Sequence, residues 1–166
     1  MPSPLDFALP IIYEVGTIGT GKLSIMAAPA SSGQFAELRR QGVDHVVSLL
    51  DVDEQVEVGL ADEKLLCIKN GMRFTSFPII DRDVPHKADA LALAATLYRD
   101  VSKGEHVVTH CRAAVGRAGI IASAILIQAG YSSGEAIHAV SWARGVLIPD
   151  TAEQNMWVES LQRSDG

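Results

Sequence analysis

The residues with the greatest capacity for chemistry stand in the stretch 107–119, VVTHCRAAVGRAG. It holds a thiol at Cys111, an imidazole just before it at His110, and a guanidinium six positions later at Arg117. The pattern reads as a strand, a seven-residue loop and the start of an apolar helix. In such a turn the backbone N–H groups of Arg112, Ala113, Ala114, Val115 and Gly116 can converge on one point, backed by the helix N-terminus. An anion is stable there. The Cys111 sulfur would lie beneath it, and the Arg117 fork would clasp two of its oxygens. The same partial positive charge favours a thiolate, the nucleophilic form of cysteine. His110 has two readings: it helps to set the thiolate, or it is a satisfied core histidine.

Positioning this loop requires a rigid scaffold, and the rest of the chain supplies the pattern of one. Tyr13–Gly19 and Lys22–Met26 read as a hairpin about Gly19-Thr20-Gly21. Ser32 is a candidate cap for a helix through Phe35, Leu38 and Arg39, ended by Gly42. The apolar runs Val43–Leu50 and His106–His110 have the form of strands buried on both faces. Acidic, helix-compatible turns fill Asp51–Asn70, and Met72–Ile80 reads as the next strand. Helices are expected over Lys87–Lys103, Ala118–Ala129, Gly134–Arg144 and Ala152–Arg163. The second is apolar on every face and belongs at the centre. Strands alternating with helices predict an α/β domain with a small, mostly parallel sheet flanked by helices. One domain over 1–166 is expected, with an extended arm over about 1–12.

Composition narrows the function classes. The 166 residues are 48% hydrophobic and 20% charged, with 14 Lys plus Arg against 20 Asp plus Glu, a formal charge of −6. That is a globular composition. It disfavours nucleic acid or an anionic membrane as partner, since both need a basic footprint. The longest uncharged apolar run, Ala118–Gln128, is short of the roughly 18 residues of a membrane span. Met1–Pro10 carries no Lys or Arg and does not read as a secretory signal. Two cysteines make neither a disulfide framework nor a four-ligand metal site, and His45, His86, His106 and His138 show no ligand spacing. A cytoplasmic protein with reduced thiols and no metal or other cofactor is expected. Its oligomeric state is not written in the sequence. Cys67, in an apolar run, reads as buried, with a resolving partner for oxidised Cys111 as the rarer reading. Trp142 and Trp157 read as core.

The His-Cys-x5-Arg loop resembles that of the cysteine-dependent protein tyrosine phosphatases, especially small dual-specificity-like bacterial members. The resemblance implies a phosphotyrosine phosphatase II-like fold and a phosphomonoester hydrolase acting through a phosphocysteine intermediate. Its substrate would be a phosphorylated protein or a small phosphomonoester. Residues 77–85, FPIIDRDVP, look like the family's general-acid loop. Asp81 matches the acid and Asp83 is the reserve, each able to be a plain loop carboxylate instead. Arg82 and His86 read as solvated loop residues that could meet an anion. The segment 144–157 is similar to the one that supplies a water-orienting glutamine, here Gln154. Thr151-x-x-Gln154 is equally a capping box, and Asp150-x-x-Glu153 a second one that would release Gln154.

Two positions depart from the family pattern. Ala118 replaces the usual Ser or Thr after the loop arginine, removing a hydroxyl that would stabilise the sulfur. Ala114 replaces a usual Gly, at a cost of about 1–2 kcal/mol if φ is positive there. A working enzyme with slow intermediate breakdown is expected. The alternatives are a phosphoinositide or small-metabolite phosphatase and a turnover-impaired phosphate-binding module. A rhodanese-type sulfurtransferase fits the acid loop poorly.

Overall fold

A computed structural model of the chain describes residues 9–161. Of the expected N-terminal arm, residues 1–8 lie outside the described part, as do positions 162–163 of the last expected helix. The hairpin is β1 (Ile12–Ile18) and β2 (Gly21–Ala27), paired antiparallel. Then follow α1 (Gly33–Arg40), β3 (His45–Ser48), α2 (Val52–Glu57), α3 (Glu63–Lys69) and β4 (Arg73–Ser76). The second half is α4 (Lys87–Ser102), β5 (His106–Cys111), α5 (Arg117–Gln128), α6 (Ser133–Arg144) and α7 (Ala152–Glu159). The strand order is β1-β2-β5-β3-β4, with β2, β5, β3 and β4 parallel.

The continuous apolar runs follow from burial on both faces. Val47 and Val107 pack into one layer with α4, α5 and α6, while their neighbours Val46 and Val108 pack into the other with Phe35, Leu38 and Cys67. Helix α5 is buried along its whole length. Gly119 permits this, because a Cβ there would meet Ile148 Cγ2 at 2.3 Å.

Several expectations need correction. Ser32 is itself helical (φ −60°, ψ −31°) and its side chain caps nothing; Asp51, Ser132 and Thr151 do cap, each in a full capping box. The strand expected over Met72–Ile80 is regular only over Arg73–Ser76, although Phe77 and Ile79 still donate to the carbonyls of Ser48 and Leu49. Trp157 is core, but Trp142 is 83% exposed. It lies on α6, whose buried positions are Ala136 and Val140, and 142 falls on the opposite side of the helix. Among the described residues no helix is long and apolar enough to cross a membrane.

Candidate active site

Cys111 ends β5, a central strand of the sheet, and Arg117 begins α5, so the loop between them sits at the carboxyl edge of the parallel strands. Ligands of open α/β sheets bind at that edge. Three helices close their N-termini with their own side chains, but α5 has Gly116 as cap and no side-chain hydrogen bond. Its first backbone bond runs from Ile120 N–H to the Gly116 carbonyl, which leaves the amides of the first turn open to an anion. Ala114 has φ +60°, the left-handed conformation anticipated for a glycine position.

A cavity of about 170 Å³ lies above this loop. Its lining brings together Asp81, Arg82, Cys111, Arg112, Ala113, Val115, Gly116, Arg117 and Gln154 from the sequence reading, and adds Asp150, read there only as a helix cap. Arg117 is 2% exposed and holds Glu54 with both terminal nitrogens, at 2.5 and 2.9 Å. It also donates to the Ile79 carbonyl at 2.9 Å and pairs with Asp81 at 3.2 Å. Burial opposes the Arg117 charge, but Glu54, Cys111 and Asp81 outweigh it and raise its pKa above the ordinary value. Reciprocally, the Arg117 hydrogen bond holds the Glu54 carboxyl below the usual carboxylate range against its desolvation.

The acid loop offers one carboxylate to the cavity. Asp81 is exposed and faces it, whereas Asp83 accepts from the N–H of Val84 at 2.7 Å and shapes the turn. His110 is fully buried, 2.6 Å from Glu63 through Nε2 and 3.3 Å from the Cys111 carbonyl through Nδ1. The capping box formed is that of Thr151, so Gln154 is not released. Its Oε1 accepts from the N–H groups of Asp150 and Thr151, and its Nε2 donates to the Asp83 carbonyl at 3.1 Å. Gln154 also rests on the anion-loop side of the cavity, where a Cβ at Gly116 would meet its amide at 3.0 Å. Arg112 is exposed and pairs with Glu57 at 2.7 Å and Glu54 at 3.7 Å. His86 is exposed beside Asp89. Buried Ala118 offers no hydroxyl, and its carbonyl accepts from Thr109 Oγ1 at 3.2 Å. Cys67 is buried, and desolvation together with Glu63 pushes its thiol up to about 12.

Sequence reasoning missed Glu54, Glu63 and Asp150. Glu54 had a signal, since Asp51-x-x-Glu54 is a capping box that sets Glu54 at the start of a helix. Glu63 had none, because nothing local marks a carboxylate as buried.

A mostly parallel sheet carrying an anion loop with cysteine, arginine and an acid at one cavity defines a cysteine-dependent protein tyrosine/dual-specificity phosphatase. The chain belongs to the DSP-PTPase phosphatase family of polymorphic toxin systems, which matches residues 19–131. Solved structures with the same fold include a kinase associated phosphatase with its catalytic cysteine changed to serine. It is 17% identical, with a TM-score of 0.83 over 92% of this chain and 93% of that one. Tk-PTP in its active form is 24% identical, with a TM-score of 0.78 over 91% and 95%. PTPMT1 in complex with PI(5)P is 20% identical, with a TM-score of 0.72 over 89% and 92%. No curated protein matches the sequence.

Proposed function

We propose that this phosphatase works through a phosphocysteine on Cys111 and acts on phosphorylated protein. The observation that carries the reading is the convergence of Cys111, Arg117 and Asp81 on one small cavity. The Cys111 thiolate attacks phosphorus, forming an S–P bond as the P–O bond to the leaving group breaks. Loop amides and Arg117 hold the equatorial oxygens, where charge develops in the transition state. Asp81 gives its proton to the leaving oxygen. A water then attacks phosphorus, passes its proton to Asp81, and the S–P bond breaks to restore the thiolate and release phosphate. Gln154 directs that water with the amide N–H that it does not give to Asp83. His110, tied to Glu63 and the Cys111 carbonyl, holds the end of β5 beneath the sulfur.

The rim supports a substrate with a single phosphate. Arg82 is paired with Asp150, and Arg112 with Glu57, so neither is an uncompensated cation for a second phosphate. The acidic net charge likewise supports neither nucleic acid nor an anionic membrane as partner. Free Cys67 and Cys111 support a reducing, cytoplasmic compartment. Without a hydroxyl at Ala118, intermediate breakdown is the slow step.

A rapid-mix time course with p-nitrophenyl phosphate tests this. Wild type gives a burst and then slow turnover, and Cys111→Ser gives neither. Ala118→Ser speeds the slow phase about ten- to a hundred-fold, the equivalent of one charge-assisted hydrogen bond. No product from wild type, with orthovanadate still bound, would leave a phosphate-binding module instead. Faster phosphate release from PI(5)P than from phosphopeptides would overturn the choice of substrate.

A further inference from the structure

The acid loop has an uneven construction. Its first half is anchored by backbone: Phe77 and Ile79 donate to β3-side carbonyls, and the Ile79 carbonyl accepts from Arg117. Beyond Ile79 the chain leaves the core, with Ile80 68% exposed, and turns back by a hydrogen bond from Asp83 N–H to the Ile80 carbonyl at 3.0 Å. The tip of that turn is Asp81 and Arg82. Arg82 has φ +65°, at a turn position where glycine is the usual residue. A side chain accepts this strain only where its surroundings over-determine it. Here the restraint is visible: Arg82 Nη1 lies 2.9 Å from Asp150 Oδ2, across the mouth of the cavity. Asp150 is fixed in turn, because its N–H donates to Gln154 Oε1 while Gln154 Nε2 holds the Asp83 carbonyl on the far side of the tip.

We infer that Arg82 and Asp150 are positioning residues that latch the exposed Asp81 turn against the start of α7, so that the acid stays over Cys111. This rests on the proposed role of Asp81 as proton donor. Neither residue need touch the substrate. Their contribution is the fraction of time for which Asp81 is within reach of the leaving oxygen. The pair is exposed on both sides, so its effect is modest and is screened by salt.

Proton donation matters most for poor leaving groups, which gives a readout that general damage would not move. The experiment measures kcat/KM, which reports phosphoenzyme formation, for 2,4-dinitrophenyl, p-nitrophenyl and phenyl phosphates. Asp81→Asn is the reference and shows a steep dependence on the leaving group. Arg82→Ala, Arg82→Gly and Asp150→Asn lose about three- to fivefold on phenyl phosphate and less than twofold on the dinitrophenyl ester. The reversed pair, Arg82→Asp with Asp150→Arg, regains the wild-type dependence. At about 1 M KCl, wild type falls to the level of the single variants.

A wild-type dependence in Arg82→Ala and Asp150→Asn, beside a steep one in Asp81→Asn, would overturn the latch. Retention in Arg82→Gly alone would overturn it too, by showing that the turn suffices. An equal loss on every ester would make Arg82 a substrate contact. A flat dependence in Asp81→Asn itself would instead refute the acid assignment.

Discussion

Two arginines gather carboxylates at opposite edges of the same sheet. At the amino edge, Arg73 begins β4 and meets Asp100 at 3.1 Å, Glu105, and His45 Nδ1 at 3.3 Å. At the carboxyl edge, Arg117 follows β5 and meets Glu54 and Asp81. By residue type the two clusters are close to interchangeable, and the first even has metal-like proximity, with ligand atoms of His45, Asp100 and Glu105 within 4.8 Å of one another. Yet Arg73 is half exposed and already supplies the cation that those groups would otherwise seek. Arg117 is buried and borders a cavity floored by Cys111 and uncapped amides. What distinguishes a site from an ion-pair network is therefore the strand end on which it stands. Parallel strands all aim their carboxyl ends, and the helices that follow, at one edge.

Activity should separate the clusters most sharply. Arg117→Ala should lower kcat/KM on p-nitrophenyl phosphate about 10²- to 10³-fold, the range for losing a key charge-stabilising donor. Arg73→Ala should stay within about twofold. A comparable loss from both would mean that the amino-edge network supports the site, and would erase the distinction drawn above.

Stability against pH should single out the amino edge. Burial, with help from Arg73, lowers the His45 pKa from its ordinary 6.5 to about 4. The unfolded chain therefore binds this proton first, and folded stability is full above pH 6.5 and declines as pH falls towards 4. The decline amounts to at most about 3 kcal/mol. Urea unfolding midpoints across that window should fall in wild type and fall less steeply in His45→Gln, where burial of His106 still holds its pKa below the ordinary value and leaves part of the decline. Glu54, whose pKa is lowered by Arg117, adds its own loss only at more acidic pH. A slope unchanged by the substitution would assign the effect elsewhere.

The smallest contrast concerns one methyl group at each edge. A Cβ on Gly21 would lie 2.1 Å from the Val101 carbonyl oxygen and 2.4 Å from that of Glu105, both backbone atoms. Gly21→Ala should destabilise by about 1–3 kcal/mol in thermal or urea melts. Ala114→Gly should change stability by less than about 1 kcal/mol. Relief of the positive φ is offset by lost methyl burial and by the greater freedom of glycine in the unfolded chain.

Much of this protein was legible in one dimension. The runs Val43–Leu50 and His106–His110 announced strands buried on both faces, and the all-apolar stretch after Arg117 announced a central helix, because periodicity records burial. Cys111, Arg117 and the amides between them lie within one turn of chain, and the strand before them, with the apolar helix after them, turned that spacing into an expected anion loop. Asp81 was set ahead of Asp83 only by its place in the family-like loop, and the physical difference belongs to three dimensions, where one carboxylate faces the cavity and the other bonds its own turn. Trp142 and Trp157 look alike in sequence, and only the packing of α6 and α7 puts the first in solvent and the second in the core.

The sequence by itself determined most of the elements and the loop that carries Cys111 and Arg117, because each is specified by residues adjacent in the chain. The tertiary structure alone decided the partners. Glu54 lies 63 positions from Arg117, Glu63 lies 47 from His110, and Asp150 lies 68 from Arg82. No local pattern encodes contacts at those separations. A carboxylate becomes a buried counter-ion or a latch only when the fold brings it to a guanidinium or an imidazole.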